Sequence, residues 1–115
     1  MIQIWHNPRC SKSRASLEVV EQSNEEFEII KYLDTSISVS DIEDVLKKLD
    51  ISAHELMRTK EDLYAELDVK SVEDEATLIK IMSENPKLIE RPIIIKDDKA
   101  VIGRPIENTI NLLKS

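Results

Sequence analysis

The stretch that decides the fold is MIQIWHNPRCSKSRASLEVV, residues 1–20 of a 115-residue chain. Its apolar start predicts a strand over residues 2–5. The residues that follow Cys10 predict a helix over about residues 11–22. Cys10 is the only cysteine in the chain, and it therefore stands where a strand gives way to the N-terminus of a helix.

This position of Cys10 indicates a reactive thiol. The first turn of a helix has unpaired backbone N–H groups and the positive end of the helix dipole, and both favour the thiolate, which is the nucleophilic form. Arg9, Lys12 and Arg14 add positive charge nearby in sequence. We therefore expect a lowered pKa for Cys10, and the same N–H groups are suited to hold an oxyanion. The alternative, an inert buried cysteine, is common for free cysteines but fits polar and basic neighbours poorly.

A second strand and a helical region are predicted next. Residues 27–32 combine apolar and β-branched residues after a polar turn, which is typical of a strand. Ser38 or Ser40 opens a helix, since each has an acidic residue three positions later. The apolar face of that helix is predicted from the spacing of four residues: Ile42, Val45, Leu46 and Leu49.

The helical region continues to about residue 85. Several short helices are predicted over residues 52–67, followed by a helix that Ser71 caps together with Asp74 and that stops before Pro86. Three residues of that last helix are expected to face inward: Leu78, Ile81 and Met82. We predict one domain over residues 1–115, with an inserted helical segment at approximately residues 38–85.

The last third of the chain changes character. A short apolar strand is predicted over residues 91–95, a tight polar turn over residues 96–99 and a returning strand over residues 100–102. A terminal helix is then predicted through Ile106, Ile110 and Leu113. The order β-α-β, then helices, then β-β-α resembles that of a thioredoxin-like α/β fold, a small mixed sheet flanked by helices.

Composition excludes several classes of protein. The net charge of −7, from 23 acidic and 16 basic residues, argues against broad binding to nucleic acid or to an anionic membrane. No apolar run is long enough to span a bilayer. With no signal peptide and one cysteine, we expect a cytoplasmic location. One cysteine and two scattered histidines make no metal-ligand set, so no metal is expected.

Three arginines stand out by their neighbours. Arg58 ends the apolar stretch LMR, Arg91 precedes Pro92 and a buried strand, and Arg104 follows the only glycine of the chain. The planar fork of a guanidinium suits two-pronged contact with a tetrahedral oxyanion such as arsenate or phosphate. From its neighbours alone, Arg58 could equally be a solvated helix residue.

Five motifs occur along the chain: HNPRCSKSR (residues 6–14), YLD (32–34), LMR (56–58), ERPII (90–94) and GRP (103–105). In order and spacing they closely resemble the glutaredoxin-linked arsenate reductase family, over essentially the whole chain. The resemblance implies a thioredoxin-like domain that contains an inserted helical region.

The resemblance also implies roles for individual residues. Cys10 matches the nucleophile, and three arginines match the oxyanion-binding residues: Arg58, Arg91 and Arg104. His6 matches a residue that tunes the thiol. Further supporting residues are Asn7, Ser13 of the active-site loop and Pro92, which matches the cis-proline beside the active cysteine.

The implied reaction is the reduction of arsenate to arsenite. Because the chain has no second cysteine, an external thiol must resolve the adduct formed on Cys10. The resemblance implies glutathione followed by a glutaredoxin, or an equivalent thiol as co-substrate, and no tightly bound cofactor.

Two other functions remain open at this point. One is a general glutathione-type thiol-disulfide reductase that has no role with arsenate. The other is an Spx-like transcriptional regulator that binds RNA polymerase. Many such regulators have a Cys-x-x-Cys switch, whereas this chain reads Cys10-Ser11-Lys12-Ser13, which favours the reductase branch.

Overall fold

The computed structural model describes residues 1–115, which form two compact units. One unit comprises Met1–Thr35 and Arg91–Ser115, and the other comprises Ser36–Glu90. The proposed single domain with an insertion at about residues 38–85 stays a prediction.

The secondary structure follows the predicted order. The strands are β1 (Ile2–Trp5), β2 (Phe27–Ile30), β3 (Ile93–Lys96) and β4 (Lys99–Ile102). The α-helices are α1 (Ser11–Gln22), α2 (Val39–Leu49), α3 (Ala53–Leu56), α4 (Asp62–Glu66), α5 (Glu75–Glu84) and α6 (Glu107–Lys114). Two short 3₁₀ helices lie at Val69–Ser71 and Pro86–Leu88. None of these helices combines the length and the apolar composition needed to cross a bilayer.

The four strands form one mixed sheet in the order β2-β1-β3-β4. β1 runs parallel to β2 and antiparallel to β3, and β3 pairs antiparallel with β4. Trp5 at the end of β1 lies opposite Ile93 at the start of β3, and Ile93 lies opposite Ile102 at the end of β4. The predicted thioredoxin-like α/β fold is confirmed.

The core of the first unit lies between one face of this sheet and helices α1 and α6. Because side chains alternate along a strand, Ile2, Ile4 and Ile94 point to the same face. They cluster there with Val20 of α1 and Leu112 of α6. Burial of each such side chain contributes about 1.5–3 kcal/mol, so this cluster anchors both helices to the sheet.

The ends of three strands differ from the prediction, and β4 begins at Lys99, one residue earlier than expected. β2 ends at Ile30 because the chain turns there, with the Tyr32 N–H donating to the Ile30 carbonyl at 3.0 Å. β3 begins at Ile93, two residues after the predicted start at Arg91, and it extends to Lys96. The polar turn is therefore shorter than predicted, with Asp97 in the left-handed region at φ 56°.

The second unit is helical, and its first cap is Ser38 rather than Ser40. The Ser38 hydroxyl accepts the Asp41 N–H at 3.0 Å, while the Asp41 carboxylate accepts the Ser38 N–H at 3.1 Å. This reciprocal pair satisfies two backbone donors. The inward residues predicted for α2 are partly confirmed, since Ile42, Val45 and Leu46 are buried.

The predicted cap of α5 is wrong. Asp74 itself is the N-cap, its carboxylate accepting the Thr77 N–H at 3.2 Å. Ser71 lies in a 3₁₀ helix, where its hydroxyl bonds to Asp68. A carboxylate next to the helix competes better for the first N–H groups than a hydroxyl three residues away.

The inward face of α5 differs in detail from the prediction. Its buried residues are Leu78, Ile79 and Met82, so Ile79 takes the place predicted for Ile81. The predicted terminal helix is α6, which begins one residue after Ile106 and buries Thr109 and Leu112. Ile110 and Leu113 of that helix are half-buried.

Replacing Ser38 by Ala should lower the free energy of unfolding by about 1 kcal/mol, because the Asp41 N–H loses its acceptor. Urea denaturation measures this difference. Ser40→Ala is the matched control, since Ser40 lies exposed inside α2, and it should change stability much less. Equal losses in the two variants would contradict the assignment of Ser38 as the cap.

Candidate active site

Cys10 is the N-cap residue of α1. Its backbone is extended, with φ −96° and ψ 121°, and its carbonyl accepts the Arg14 N–H at 3.0 Å. The side chain is buried, with 9% exposed. The thiol therefore sits at the predicted junction between loop and helix, where the N–H groups of the first turn are within its reach.

Several opposing contributions set the pKa of Cys10. Burial is the largest, and it raises the pKa. The backbone N–H groups of Ser13 and Lys12 lower the pKa, although the thiol forms no capping hydrogen bond with the helix. The charge and hydrogen bond of Arg91 lower the pKa further. Together the lowering contributions win, so the pKa lies below its ordinary value. The thiolate form is thereby favoured.

The predicted direction of this shift is confirmed, and so is the predicted effect of the N–H groups at the helix start, whereas the predicted effect of the neighbouring side-chain charges is wrong. The cation that acts on the sulfur is Arg91, and not the side chains of Arg9, Lys12 or Arg14. Lys12 contributes through its backbone N–H alone. Side chains that follow one another at the start of a helix point away in different directions, so neighbours in sequence need not be neighbours of the thiol.

The loop before Cys10 is closed by Asn7. The Asn7 carbonyl accepts the Cys10 N–H at 3.0 Å, and the Asn7 side-chain oxygen accepts the Arg9 N–H at 3.0 Å. The N–H groups of Arg9 and Cys10 are thereby engaged, whereas the Cys10 side chain forms no capping hydrogen bond with the first turn of α1. N–H groups of that turn therefore stay open to an oxyanion.

Ser13 holds the same loop through hydrogen bonds of its side chain. Its fully buried hydroxyl accepts the Asn7 N–H at 2.9 Å and lies 2.6 Å from Nδ1 of His6. Arg14 adds a further tie by donating to the Pro8 carbonyl at 3.0 Å. The structure thus brings His6, Asn7 and Ser13 together as a brace for the loop that carries Cys10.

His6 is buried, and it favours the neutral state. Burial is the first cause that lowers its pKa, the charges of Lys31 and Arg14 add to the effect, and Glu21 opposes it. The Ser13 hydroxyl accepts the Asn7 N–H and also forms a hydrogen bond with Nδ1 of His6, which orients the ring. His6 is not among the groups that shift the Cys10 pKa. A tuning role for His6 stays a prediction.

Strand register brings Arg91 to Cys10. Because the end of β1 lies opposite the start of β3, residues after Trp5 and residues before Ile93 share one edge of the sheet. Pro92 is buried, and the Arg91–Pro92 peptide bond is cis, as predicted. A second cis bond, Arg104–Pro105, was not predicted.

Arg104 reaches the same edge through β4. Ile102 ends that strand opposite Ile93, and the next N–H, from Gly103, donates to the Pro92 carbonyl at 2.9 Å. Arg104 is exposed, and its guanidinium makes no hydrogen bond or ion pair in the structure. Its charge is therefore available to an anion.

Arg58 lies in the second unit, in a setting that the sequence did not suggest. α3 ends at Leu56, so Arg58 is not helical, and its N–H donates to the Leu88 carbonyl at 2.8 Å. The guanidinium forms ion pairs with Glu61 at 3.1 Å and Glu90 at 3.9 Å. Unlike Arg104, it already contacts carboxylates, so a role in binding an oxyanion stays a prediction.

Sequence reasoning missed Gly103 as a residue of this region. It is the only glycine of the chain, and it is buried between two segments that carry arginines. That it is the only glycine of the chain was the one signal in the sequence that could have pointed to it.

No group of three or more His, Cys, Asp or Glu side chains is arranged to hold a metal ion.

Comparisons with known proteins agree on one family. Residues 5–111 match the ArsC family. The chain is 45% identical over 109 residues to an arsenate reductase of Neisseria meningitidis, with 93% of each chain covered. It is 43% identical over 112 residues to an arsenate reductase of Haemophilus influenzae, covering 96% of this chain and 97% of that one.

A solved structure gives the same result. The arsenate reductase from Vibrio cholerae superposes with a TM-score of 0.91 at 40% identity, covering 96% of this chain and 95% of that one. The likeness therefore extends over the whole fold rather than over one motif.

The contribution of Arg91 to the thiol can be measured directly. Thiolate absorbance followed against pH should give a midpoint for Cys10 below the free-cysteine value of about 8.5, and Arg91→Gln should raise that midpoint. Arg9→Gln removes the same charge next to Cys10 in sequence and should leave the midpoint nearly unchanged. Equal shifts in both variants would show that general positive charge, and not the Arg91 contact, sets the pKa.

Proposed function

Since the chain belongs to the ArsC family, we propose that it is a cysteine-dependent oxidoreductase that reduces arsenate to arsenite. The observation that supports this most strongly is the contact between Cys10 and Arg91. A thiol with a lowered pKa and a guanidinium meet at one edge of the sheet, which pairs a nucleophile with a group that binds a tetrahedral anion.

The first step forms a bond between sulfur and arsenic. The Cys10 thiolate attacks As(V), and one arsenate oxygen takes up protons and leaves as water. The product is a Cys10–S–As(V) adduct. No redox change has occurred at this stage, since arsenic keeps its oxidation state.

The second step transfers the electrons. An external thiolate attacks the Cys10 sulfur, a disulfide bond forms, and the electron pair of the S–As bond stays on arsenic, which leaves as arsenite. A second external thiol then reduces the mixed disulfide and restores the Cys10 thiolate. Overall, two thiols become one disulfide, and arsenic gains two electrons. With only one cysteine in the chain, both thiols come from outside it.

The arginines hold the oxyanion and offset its charge while sulfur attacks. Arg91 serves the thiolate as well as the anion, because it already contacts Cys10. Arg104 offers an exposed and unpaired guanidinium at the same edge of the sheet. Arg58 is assigned as the third oxyanion-binding residue on the family resemblance alone.

The external thiol is proposed to be glutathione followed by a glutaredoxin, or an equivalent low-molecular-weight thiol. The reaction as written needs no tightly bound cofactor and no metal ion. A cytoplasmic setting suits it, because reduced thiols are abundant there. The acidic chain, with net charge −7, is not expected to use nucleic acid or membranes as partners.

A general thiol-disulfide reductase is the competing proposal. The same lowered pKa of Cys10 would serve exchange with glutathione-type mixed disulfides. The two functions differ in whether the oxyanion is needed for turnover.

The test is arsenate-dependent oxidation of NADPH, coupled through glutathione reductase, glutathione and glutaredoxin. We expect turnover with the wild-type protein and none with Cys10→Ser, because a hydroxyl is far less ionised and less nucleophilic. Circular dichroism confirms that the serine variant is folded. Wild-type exchange with a mixed disulfide but no response to arsenate would favour the competing proposal.

The arginines allow a sharper comparison. Arg104→Lys keeps the charge but loses the two-pronged contact. A lost charge-assisted hydrogen bond costs about 1.5–3 kcal/mol, which is roughly a ten- to hundredfold fall in arsenate kcat/KM. Exchange with a neutral disulfide should change little. Arg91→Lys should impair both reactions, since Arg91 also contacts the thiol.

Arg9→Lys is the matched control for both variants and should alter neither reaction. If Arg104→Lys leaves arsenate turnover intact, or reduces disulfide exchange by the same factor, Arg104 does not bind the oxyanion.

A further inference from the structure

Gly103 has no room for a side chain. A Cβ atom built there would lie 2.6 Å from the Ser16 hydroxyl oxygen, 2.7 Å from the Thr109 hydroxyl oxygen and 2.9 Å from Cγ of Pro92. The backbone of Gly103 does not have a positive φ. Glycine is therefore required at this position by the close approach of its neighbours, and not by backbone conformation.

The neighbours of Gly103 belong to the segments that carry the proposed site. Ser16 lies on α1, which begins directly after Cys10. Pro92 follows Arg91, and the Pro92 carbonyl accepts the Gly103 N–H at 2.9 Å. Gly103 itself precedes Arg104. The segments that carry Cys10, Arg91 and Arg104 thus pack against one another at Gly103, which is buried.

A pair of buried hydroxyls completes this contact. The Ser16 and Thr109 hydroxyl oxygens are 2.9 Å apart, and both residues are fully buried. Each hydroxyl partners the other, so separating them would leave two buried polar groups unsatisfied, which is costly. The pair therefore holds α1 and α6 at hydrogen-bond distance on either side of Gly103.

We propose that Gly103, Ser16 and Thr109 are positioning residues that set the distance of Cys10 from Arg91 and Arg104. This inference rests on the proposed function for its effect on arsenate turnover. None of the three residues is assigned to touch the substrate. They act by fixing how closely α1, Pro92 and the end of β4 approach one another.

The size of the effect follows from the contact distances. Carbon atoms pack best at about 3.5–4.0 Å, so a Cβ at 2.6–2.9 Å must move away by about 1 Å. Two of the three contacts are with the hydroxyl oxygens of Ser16 and Thr109, which are fully buried, and the third is with the ring of Pro92, which follows Arg91. A misplacement of about 1 Å between reacting groups can cost roughly a hundredfold in rate.

The experiment compares Gly103→Ala with a compensated variant, Gly103→Ala/Ser16→Ala/Thr109→Ala. The first should reduce arsenate kcat/KM roughly ten- to hundredfold and should raise the midpoint of thiolate absorbance, because Arg91 withdraws from Cys10. In the second, the new methyl takes the space of the two hydroxyl oxygens that it would otherwise meet. It therefore replaces them as the spacer between α1 and α6, and most of the activity and the midpoint should recover. Val20→Ala, in the core of the same unit, controls for loss of stability and should move neither quantity in the folded protein.

Two outcomes would overturn the proposal. One is a folded Gly103→Ala variant with wild-type kcat/KM and midpoint, and the other is no recovery in the compensated variant. If Gly103→Ala does not fold, Ser16→Ala with glycine kept at position 103 removes one member of the hydroxyl pair, so no methyl fills the space and the buried Thr109 hydroxyl loses its partner. An unchanged midpoint in that variant rejects the proposal, and a raised one supports it.

The midpoint is read without arsenate. A wild-type protein that fails to reduce arsenate would therefore reject the proposed function, while the positioning of Arg91 against Cys10 would still be tested.

Discussion

The first turn of α1 begins with backbone N–H groups that have no partner within the helix, and the chain places a sulfur atom beside them. The N–H groups of Lys12 and Ser13 lower the pKa of Cys10, although the thiol forms no capping hydrogen bond with the helix. Asn7 accepts the N–H groups of Arg9 and Cys10 just before the helix. A serine or aspartate at position 10 would cap the helix better. With cysteine there, the helix start favours a thiolate instead, so this position serves the chemistry rather than the stability of the helix.

Strand pairing decides which charges reach that thiolate. The register Trp5–Ile93–Ile102 puts the end of β1, the start of β3 and the end of β4 at one edge of the sheet. Arg91 and Arg104 lie just beyond the last paired residues of β3 and β4. A slip of one residue in either pairing would turn alternate side chains to the opposite face and remove them from the edge. The apolar cluster of Ile2, Ile4 and Ile94 holds this strand register, and the register in turn decides that Arg91 and Arg104 lie near the loop that carries Cys10.

Local patterns predicted local structure well, and they failed where distant segments compete or meet. β1 and α1 have the predicted bounds, since an apolar run and a helix start are each contained in a few neighbouring residues. Ser71 and Asp74 both suit a cap by residue type, and only the folded chain shows that the aspartate prevails. The charge beside Cys10 comes from Arg91 rather than from its sequence neighbours, because sequence distance says little about distance across a sheet. The requirement for glycine at 103 is likewise set by packing against Ser16 and Thr109.

The ion pairs around Arg58 have a consequence for how an anion arrives. Arg58 and Lys87 contact Glu61, and Arg58 also contacts Glu90, all within 3.9 Å, so two positive and two negative charges cancel. Beyond the Debye length of about 8 Å at physiological ionic strength, this cluster exerts no net pull on an anion. Long-range attraction must come from exposed cations that lack a carboxylate partner, such as Arg104. Added salt therefore weakens the pull of those exposed cations on the anion, while Arg58, half-buried among its carboxylates, contributes almost nothing to that pull.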